Sequence, residues 1–237
     1  MIMDIKSEIL SSYKYKTELH AHTLPISRCS EFYADELVKR YAALGVDTVV
    51  VANHFTPVHL EQYGKDGLIK EYARAFDDVK RAAEPFGINA IMGVEIRFTA
   101  NMNDYLIFGA KEDDLPTLCD SLDKGIEKFY KSFKREGVLI FQAHPKRDKM
   151  VEVDAEYLDG YEAFNLHPGH NSRIAIAARE AYARNLKIIG GTDFHHPNHE
   201  GCCLVLSKEK ITTSEMLVSL IESGDYALLI GGSIVLP

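Results

Sequence analysis

Apolar positions along the chain fall into two alternating kinds of segment. Short apolar runs occur at residues 16–23 (KTELHAHT), 46–54 (VDTVVVANH), 88–98 (INAIMGVEIRF), 104–110 (DYLIFGA), 138–145 (VLIFQAHP), 160–167 (GYEAFNLH), 186–196 (LKIIGGTDFHH), 202–207 (CCLVLS) and 226–232 (YALLIGG). Such runs predict strands, and the β-branched ones suit burial on both faces. Between them, residues 31–44, 68–86, 115–135, 171–184 and 214–223 carry helical spacing, with Gly45, Gly87 and Gly137 as stop signals. The 202–207 run is expected beside the 186–196 strand. No Pro/Ser-rich linker or fixed-length repeat divides the sequence. The alternation predicts a parallel, barrel-like α/β fold over residues 1–237, with a doubly wound open sheet as the rival architecture.

The polar residues sharpen this picture. His20, His22, His54, Glu95, His144, His167, Asp193 and His195 all fall at or just past the C-terminal end of a predicted strand. In a barrel those ends converge on one face, where active sites are built. His20 and His22 are two apart, so on a strand both imidazoles face the same side; an exposed edge pair would read the same way. Asp193 and His195 repeat that spacing. Glu95 interrupts the apolar GVEIRF, where a carboxylate is costly unless paired or bound to a cation. A salt bridge to Arg97 is the plain alternative, and a core histidine is the plain alternative for His144. Mixed His, Asp and Glu donors with no thiolate suit Zn, Mn or Fe, and their number suggests more than one ion. The sequence shows no GxSxG elbow, Walker-A loop or GxGxxG.

Composition changes little. The 237 residues are 46% hydrophobic and 26% charged, as in ordinary globular proteins. The formal charge of −8 disfavours extended nucleic acid. Cys29, Cys119, Cys202 and Cys203 show no CxxC spacing, and a disulfide framework is not expected. With no membrane-length apolar run and no signal-like N-terminus, the expectation is a cytoplasmic protein acting on a small molecule.

Taken in order, ELHAHT with SRCS after it, VVVANH, GVEI, NDYLIFG, FQAHP, YEAFN and GGTDFH resemble the PHP (polymerase and histidinol phosphatase) family, from His20 to His195. The resemblance implies a distorted (βα)7 TIM-like barrel holding two or three divalent transition-metal ions (Zn, Mn or Fe). Its members include phosphatases, phosphoesterases, exonucleases and polymerase-linked domains. Carried over by position, His20, His22, Glu95 and Asp193 match the ligands of a first ion. Glu95 would bridge to a second, which His144 also matches; His54 and His195 match ligands of a third. The sequence departs from the family at Ser27-Arg28-Cys29-Ser30, where a histidine is common, so the third ion loses a ligand unless Cys29 substitutes. It departs again at Tyr105, where three-metal members carry histidine, and at Asn53, where aspartate is common.

Asp193, Glu95 and His195 are therefore expected to be catalytic, with Arg28, Arg147, Tyr105 and His167 as substrate contacts. Tyr105 could equally be a packed aromatic, and His167 structural. Asn165 fits a residue that orients a ligand; His59, His170, His196 and His199 match no ligand position and read as loop histidines. The expected activity is metal-dependent phosphoesterase chemistry on a small phosphate monoester, histidinol-phosphatase-like, with a metal-bound hydroxide as nucleophile. The alternatives are a phosphodiesterase or nuclease, amidohydrolase-type hydrolysis, and a non-catalytic binding protein with a partial metal site.

Overall fold

The computed structural model describes residues 5–237. In chain order the elements are α1 (Ile5–Ser12), β1 (Tyr15–Ala21), α2 (Ala34–Ala43), β2 (Thr48–Val51), β3 (His54–Phe55), α3 (Pro57–Ala83), β4 (Asn89–Met92), β5 (Val94–Arg97), β6 (Asp104–Phe108), α4 (Leu115–Cys119), α5 (Gly125–Phe133), β7 (Leu139–Gln142), β8 (Gly160–Asn165), α6 (Ile174–Ala183), β9 (Lys187–Gly191), β10 (Cys203–Ser207), α7 (Ser214–Ser223), β11 (Ala227–Ile230) and β12 (Ser233–Val235).

The strands form two six-stranded sheets, ordered β12-β11-β10-β1-β2-β4 and β3-β5-β6-β7-β8-β9. Backbone contacts join the sheets along two lines. The β2–β4 pair continues as the β3–β5 pair after short breaks, with Gly93 N–H donating to Val51 O and Glu95 N–H to Asn53 O. On the other side, Phe194 N–H donates to His20 O and His22 N–H to Phe194 O, which ties β1 to the residues just after β9. The break at Gly93 is steric. A Cβ there would approach Val50 Cγ1 to 2.8 Å, so only glycine lets the strands pass this closely.

Side chains on the strands sort by the period of two. Leu106 and Phe108 on β6, Leu139 and Phe141 on β7, Val50 on β2 and Ile189 on β9 join one apolar cluster, together with Leu217, Val218 and Ile221 of α7. The intervening Tyr105 and Ile107, Ile140, and Val49 and Val51 join a second cluster, shared with α2, α3 and α5. Asp104 has the parity of Leu106, and Glu95 is out of phase with Val94 and Ile96. Parity thus directs these carboxylates away from the helix layer and into the strand-enclosed interior.

Several expectations are corrected. The strands are not all parallel: β6 pairs antiparallel with both β5 and β7, and β10 antiparallel with β1 and β11 rather than beside β9. Only a short loop joins β5 to β6, which permits no parallel return. The helix expected at 68–86 begins at Pro57, which supplies a preset φ in the first turn. Its earlier half is masked in the sequence by Gly64, where the helix kinks at φ 68°. The long helix expected at 115–135 is two, interrupted before Gly125 (φ 74°), where Leu122 O accepts from Thr99 N–H.

Gly109 holds φ 85° at the β6 exit, and a Cβ there would run into the carbonyl of Gly137. Gly109→Ala should therefore lower unfolding free energy by about 1–3 kcal/mol, read as a lower urea midpoint with unchanged slope.

Candidate metal centre

The centre starts from β1. Its alternation sends Glu18, His20 and His22 to the interior side, all fully buried. His20 Nδ1 lies 2.7 Å from Glu162 Oε1, a carboxylate oxygen that can only accept, so Nδ1 carries the proton. His22 Nδ1 lies 3.1 Å from Ser27 Oγ, whose own proton goes to Asn53 Oδ1 at 2.8 Å, so His22 Nδ1 donates as well. Both Nε2 atoms are thereby turned to the same point, 2.9 Å apart. Around that point stand Glu95, 3.5 Å from each Nε2, and Asp193 Oδ1, 3.7 Å from His20 and 3.4 Å from His22.

Glu95 extends the cluster in two directions. Its Oε2 lies 2.6 Å from His54 Nδ1, without the alignment a hydrogen bond needs, so both atoms are buried and unpartnered. Its Oε1 is 3.2 Å from His144 Nε2, and His144 Nε2 is 3.6 Å from Asp104 Oδ2. The β3–β5 register sets His54 directly opposite Glu95. His144 and Asp193 both hold positive φ, 31° and 55°. Left-handed backbone at non-glycine residues costs about 1–3 kcal/mol and persists where surroundings over-determine it. Here Glu162 Oε2 accepts from His144 N–H, and Asn165 Nδ2 bridges Glu162 and Asp193. Gly191 completes the scaffold: a Cβ there would come within 2.6 Å of both Glu162 Oε1 and His20 Cβ.

Three sets of donors converge closely enough to share an ion: His20, His22 and Glu95; Glu95, Asp104 and His144; and His22, His54 and His195. The residues fit divalent cations on the chemistry of the donors. Buried lone pairs and carboxylates facing one another are unfavourable without positive charge between them. In the bare chain a proton supplies it. Burial disfavours charge on His20, yet Glu162, Asp193 and Glu95 outweigh it and hold its pKa well above the usual value. Burial, with His195 and His54 adding like charge, keeps His22 well below. Burial would raise Glu95 and Asp193 too, but His54 and His20 hold Glu95 well below the carboxylate range, and His20, His170 and His195 do the same for Asp193. His195 is pushed up to about 10, Asp193 and Cys29 overcoming its burial.

The cluster brings together His20, His22, His54, Glu95, His144, Asp193 and His195. Among the expected substrate contacts, Arg147 reaches it, with Nη2 3.6 Å from Asp104 Oδ2. His167 is half-buried at the mouth and stacks on His170 with centroids 3.9 Å apart. Arg28 lies exposed on the loop after β1. Tyr105 is corrected: its ring packs on Phe98 in the core and its hydroxyl meets Asn103, because its parity is that of Ile107. The neighbouring Asp104 takes the place facing His144. The alternative Glu95–Arg97 salt bridge does not form, since Arg97 makes a bidentate pair with Asp104 at 2.7 and 2.6 Å. Asp104 and Glu162 escaped the reading, although each sits out of phase with apolar neighbours as Glu95 does. His170, read as a loop histidine, lies 3.2 Å from Asp193 Oδ2.

Solved structures share this fold. A two-domain protein from Bacteroides vulgatus containing a predicted PHP-like metal-dependent phosphoesterase superposes with TM-score 0.66 at 18% identity, over 91% of this chain and 64% of its own. This chain thus spans less than two thirds of that protein. PsfC from Pseudomonas syringae matches with TM-score 0.63 at 16% identity, over 86% of this chain and 88% of its own. A candidate metal-dependent phosphoesterase from Bifidobacterium adolescentis matches with TM-score 0.52 at 15% identity, over 86% and 95%. No family model and no curated protein matches the sequence. The chain shares its mixed α/β fold, built on two six-stranded sheets, with these proteins, among them one that contains a predicted PHP-like phosphoesterase.

Glu162 touches His20, His144 N–H and Asn165 without facing the donors' common point. Glu162→Gln should weaken binding of a divalent transition metal by roughly 10–100-fold, the usual cost of losing an outer partner. Calorimetric titration of metal-stripped protein checks this.

Proposed function

We propose that this chain is a metal-dependent phosphoesterase whose substrate is a small phosphate monoester of the histidinol-phosphate kind. The observation that carries the reading is the buried meeting of His20, His22, Glu95 and Asp193 with His144 and Asp104, beside two arginines. The chain paths through β1, β3, β5, β6 and the exits of β7 and β9 bring these groups to one mouth. Taking β2–β3 and β4–β5 as single strands, we read β1 to β9 as the seven-stranded, TIM-like ring expected from the motifs, with β6 reversed.

Bound divalent ions in such a cluster would acidify a water and take up charge on phosphoryl oxygens. The chain's own groups do the rest. Arg97 and Arg147 converge on Asp104 next to His144, 26% and 22% exposed. A planar guanidinium suits paired phosphate oxygens, and Arg97 is already oriented by its two bonds to Asp104. Arg147 makes the looser contact and is the one free to turn toward a phosphate. Asp193 Oδ1, 3.4 Å from His22 and 3.2 Å from His195 Nδ1, is placed to take a proton from the attacking water. His195 Nδ1, 2.9 Å from the Asp193 carbonyl, holds that ring beside Asp193, which can pass the proton it takes up on to the leaving oxygen. The net charge of −8 supports a small substrate over a long polyanion.

The test is hydrolysis of a panel of phosphate monoesters and dinucleotides by protein reconstituted with Zn, Mn or Fe. The expected outcome is metal-dependent turnover of monoesters that Glu95→Gln abolishes. Arg147→Ala should raise KM more than it lowers kcat. Preference for dinucleotides would overturn the monoester assignment, and an inert protein with full metal content would overturn the enzyme assignment.

A further inference from the structure

We propose that Asn103 is a positioning residue whose side-chain amide closes the loop of residues 144–150 and so sets Arg147 at the mouth as the contact for the substrate phosphate. The inference deepens the phosphoesterase reading above and rests on it. Arg147 is not placed by its own side chain. Its Nη2 stands 3.6 Å from Asp104 Oδ2, too far for a hydrogen bond, and both Asp104 oxygens already accept from Arg97. Its backbone does the placing. Arg147 N–H donates to His144 O, and Arg147 O accepts from Met150 N–H. The direction of the guanidinium therefore follows from how the loop is held at its two ends.

Both ends are held on Asn103 and Asp104, where the turn after β5 enters β6. At the start, Asp104 O accepts from Ala143 N–H, and Glu162 Oε2 accepts from His144 N–H. At the finish, Asn103 Oδ1 accepts from Val151 N–H at 2.9 Å, and Asn103 Nδ2 donates to Val151 O at 2.9 Å. The amide thus copies the two-bond pairing of facing strand residues, outside the sheet. Asn103 is fully buried although Val151 is 45% exposed. Its Nδ2 also meets Tyr105 OH at 3.3 Å, and its backbone N–H donates to Asn101 Oδ1 at 2.9 Å, so the amide has no freedom to turn. The loop's other tie, from Arg173 to Lys146 O and Asp148, is exposed and restrains less. Asn103→Ala would leave Val151 N–H without a partner and Val151 O with only Gln142 Nε2, 3.2 Å away.

Steady-state kinetics of metal-loaded protein on the best monoester of the panel above, with inorganic phosphate as inhibitor, provide the test. Asn103→Ala should raise KM about tenfold, the cost of one charge-assisted contact. Its kcat should change by less than about threefold, with bound metal per chain unchanged. The inhibition constant of inorganic phosphate should rise by the same factor as KM. In the Arg147→Ala background the same substitution should add less than about twofold, since the contact it aims is gone. Asn103→Ser, which retains one hydroxyl for the loop backbone, should fall between wild type and Asn103→Ala, and it carries the test if the alanine variant does not fold. Equal effects with and without Arg147, or a fall in kcat at unchanged KM, would overturn the positioning role while leaving the phosphoesterase reading standing. A metal-replete wild-type chain that neither hydrolyses monoesters nor binds inorganic phosphate would remove both.

Discussion

The structure depends on one electrostatic constraint: two imidazole nitrogens, 2.9 Å apart and fully buried, share their surroundings with two carboxylates. Such an arrangement is stable only with positive charge at its centre. The fold invests in holding it nonetheless. Glu162 fixes the ring of His20, and Ser27 and Asn53 fix that of His22. Gly191 leaves no side chain where β9 passes His20, and two residues later Asp193 bends through positive φ to aim its carboxylate inward. Each device has a local cost, in strain or lost packing, that a purely structural core has no reason to carry.

The breaks in the sheets serve the same end. A strand that continued straight from β4 through β5 would keep one pairing partner and one curvature. Instead, the pair formed by β2 and β4 is interrupted at Ala52–Asn53 and at Gly93, and resumes as β3 and β5 in the second sheet. The turn lets Asn53 O and Gly93 O both accept from Tyr72 OH of α3, which anchors the bend from outside. On the inner side it delivers His54 and Glu95 as opposed residues at the mouth. Antiparallel β6, entering by a short turn from β5, adds Asp104 opposite Arg97, a pairing a parallel strand arriving from a helix would not have produced.

Much of the centre was legible because its donors lie at the ends of apolar runs. HAH, GVE, QAHP and GGTDFH announce a change from packing to chemistry within a few residues, and a barrel rim is where such changes meet. Asp104 and Glu162 were not legible for the same reason inverted. Each sits inside or at the start of a run, where a single acidic letter reads as a solvent-facing position, and its inward direction appears only once the strand's parity is fixed against its neighbours. Tyr105 is one residue out of phase with Asp104, enough to put it on the other face of the strand, so of its two readings the packed aromatic holds. The early half of α3 was hidden by Gly64 and Gly67, which signal turns in a sequence but here mark a kink the packed helix absorbs. His170 lies five residues past the end of β8, and only the fold of its loop brings it to Asp193.

The centre also grades from rigid to adaptable outward, and that gradient explains where its chemistry can vary. His20, His22 and Glu95 are wholly buried and Asp193 nearly so, held by partners that are themselves buried, so altering any one leaves a desolvated charge or polar atom behind. His54 is partly exposed, Cys29 is exposed on a loop, and Arg97 and Arg147 retain solvent contact around Asp104. Replacing a ligand at that outer layer exchanges one solvated donor for another at small structural cost. Arg97 and Arg147, held on Asp104 beside His144, can vary in this way without disturbing the inner donors.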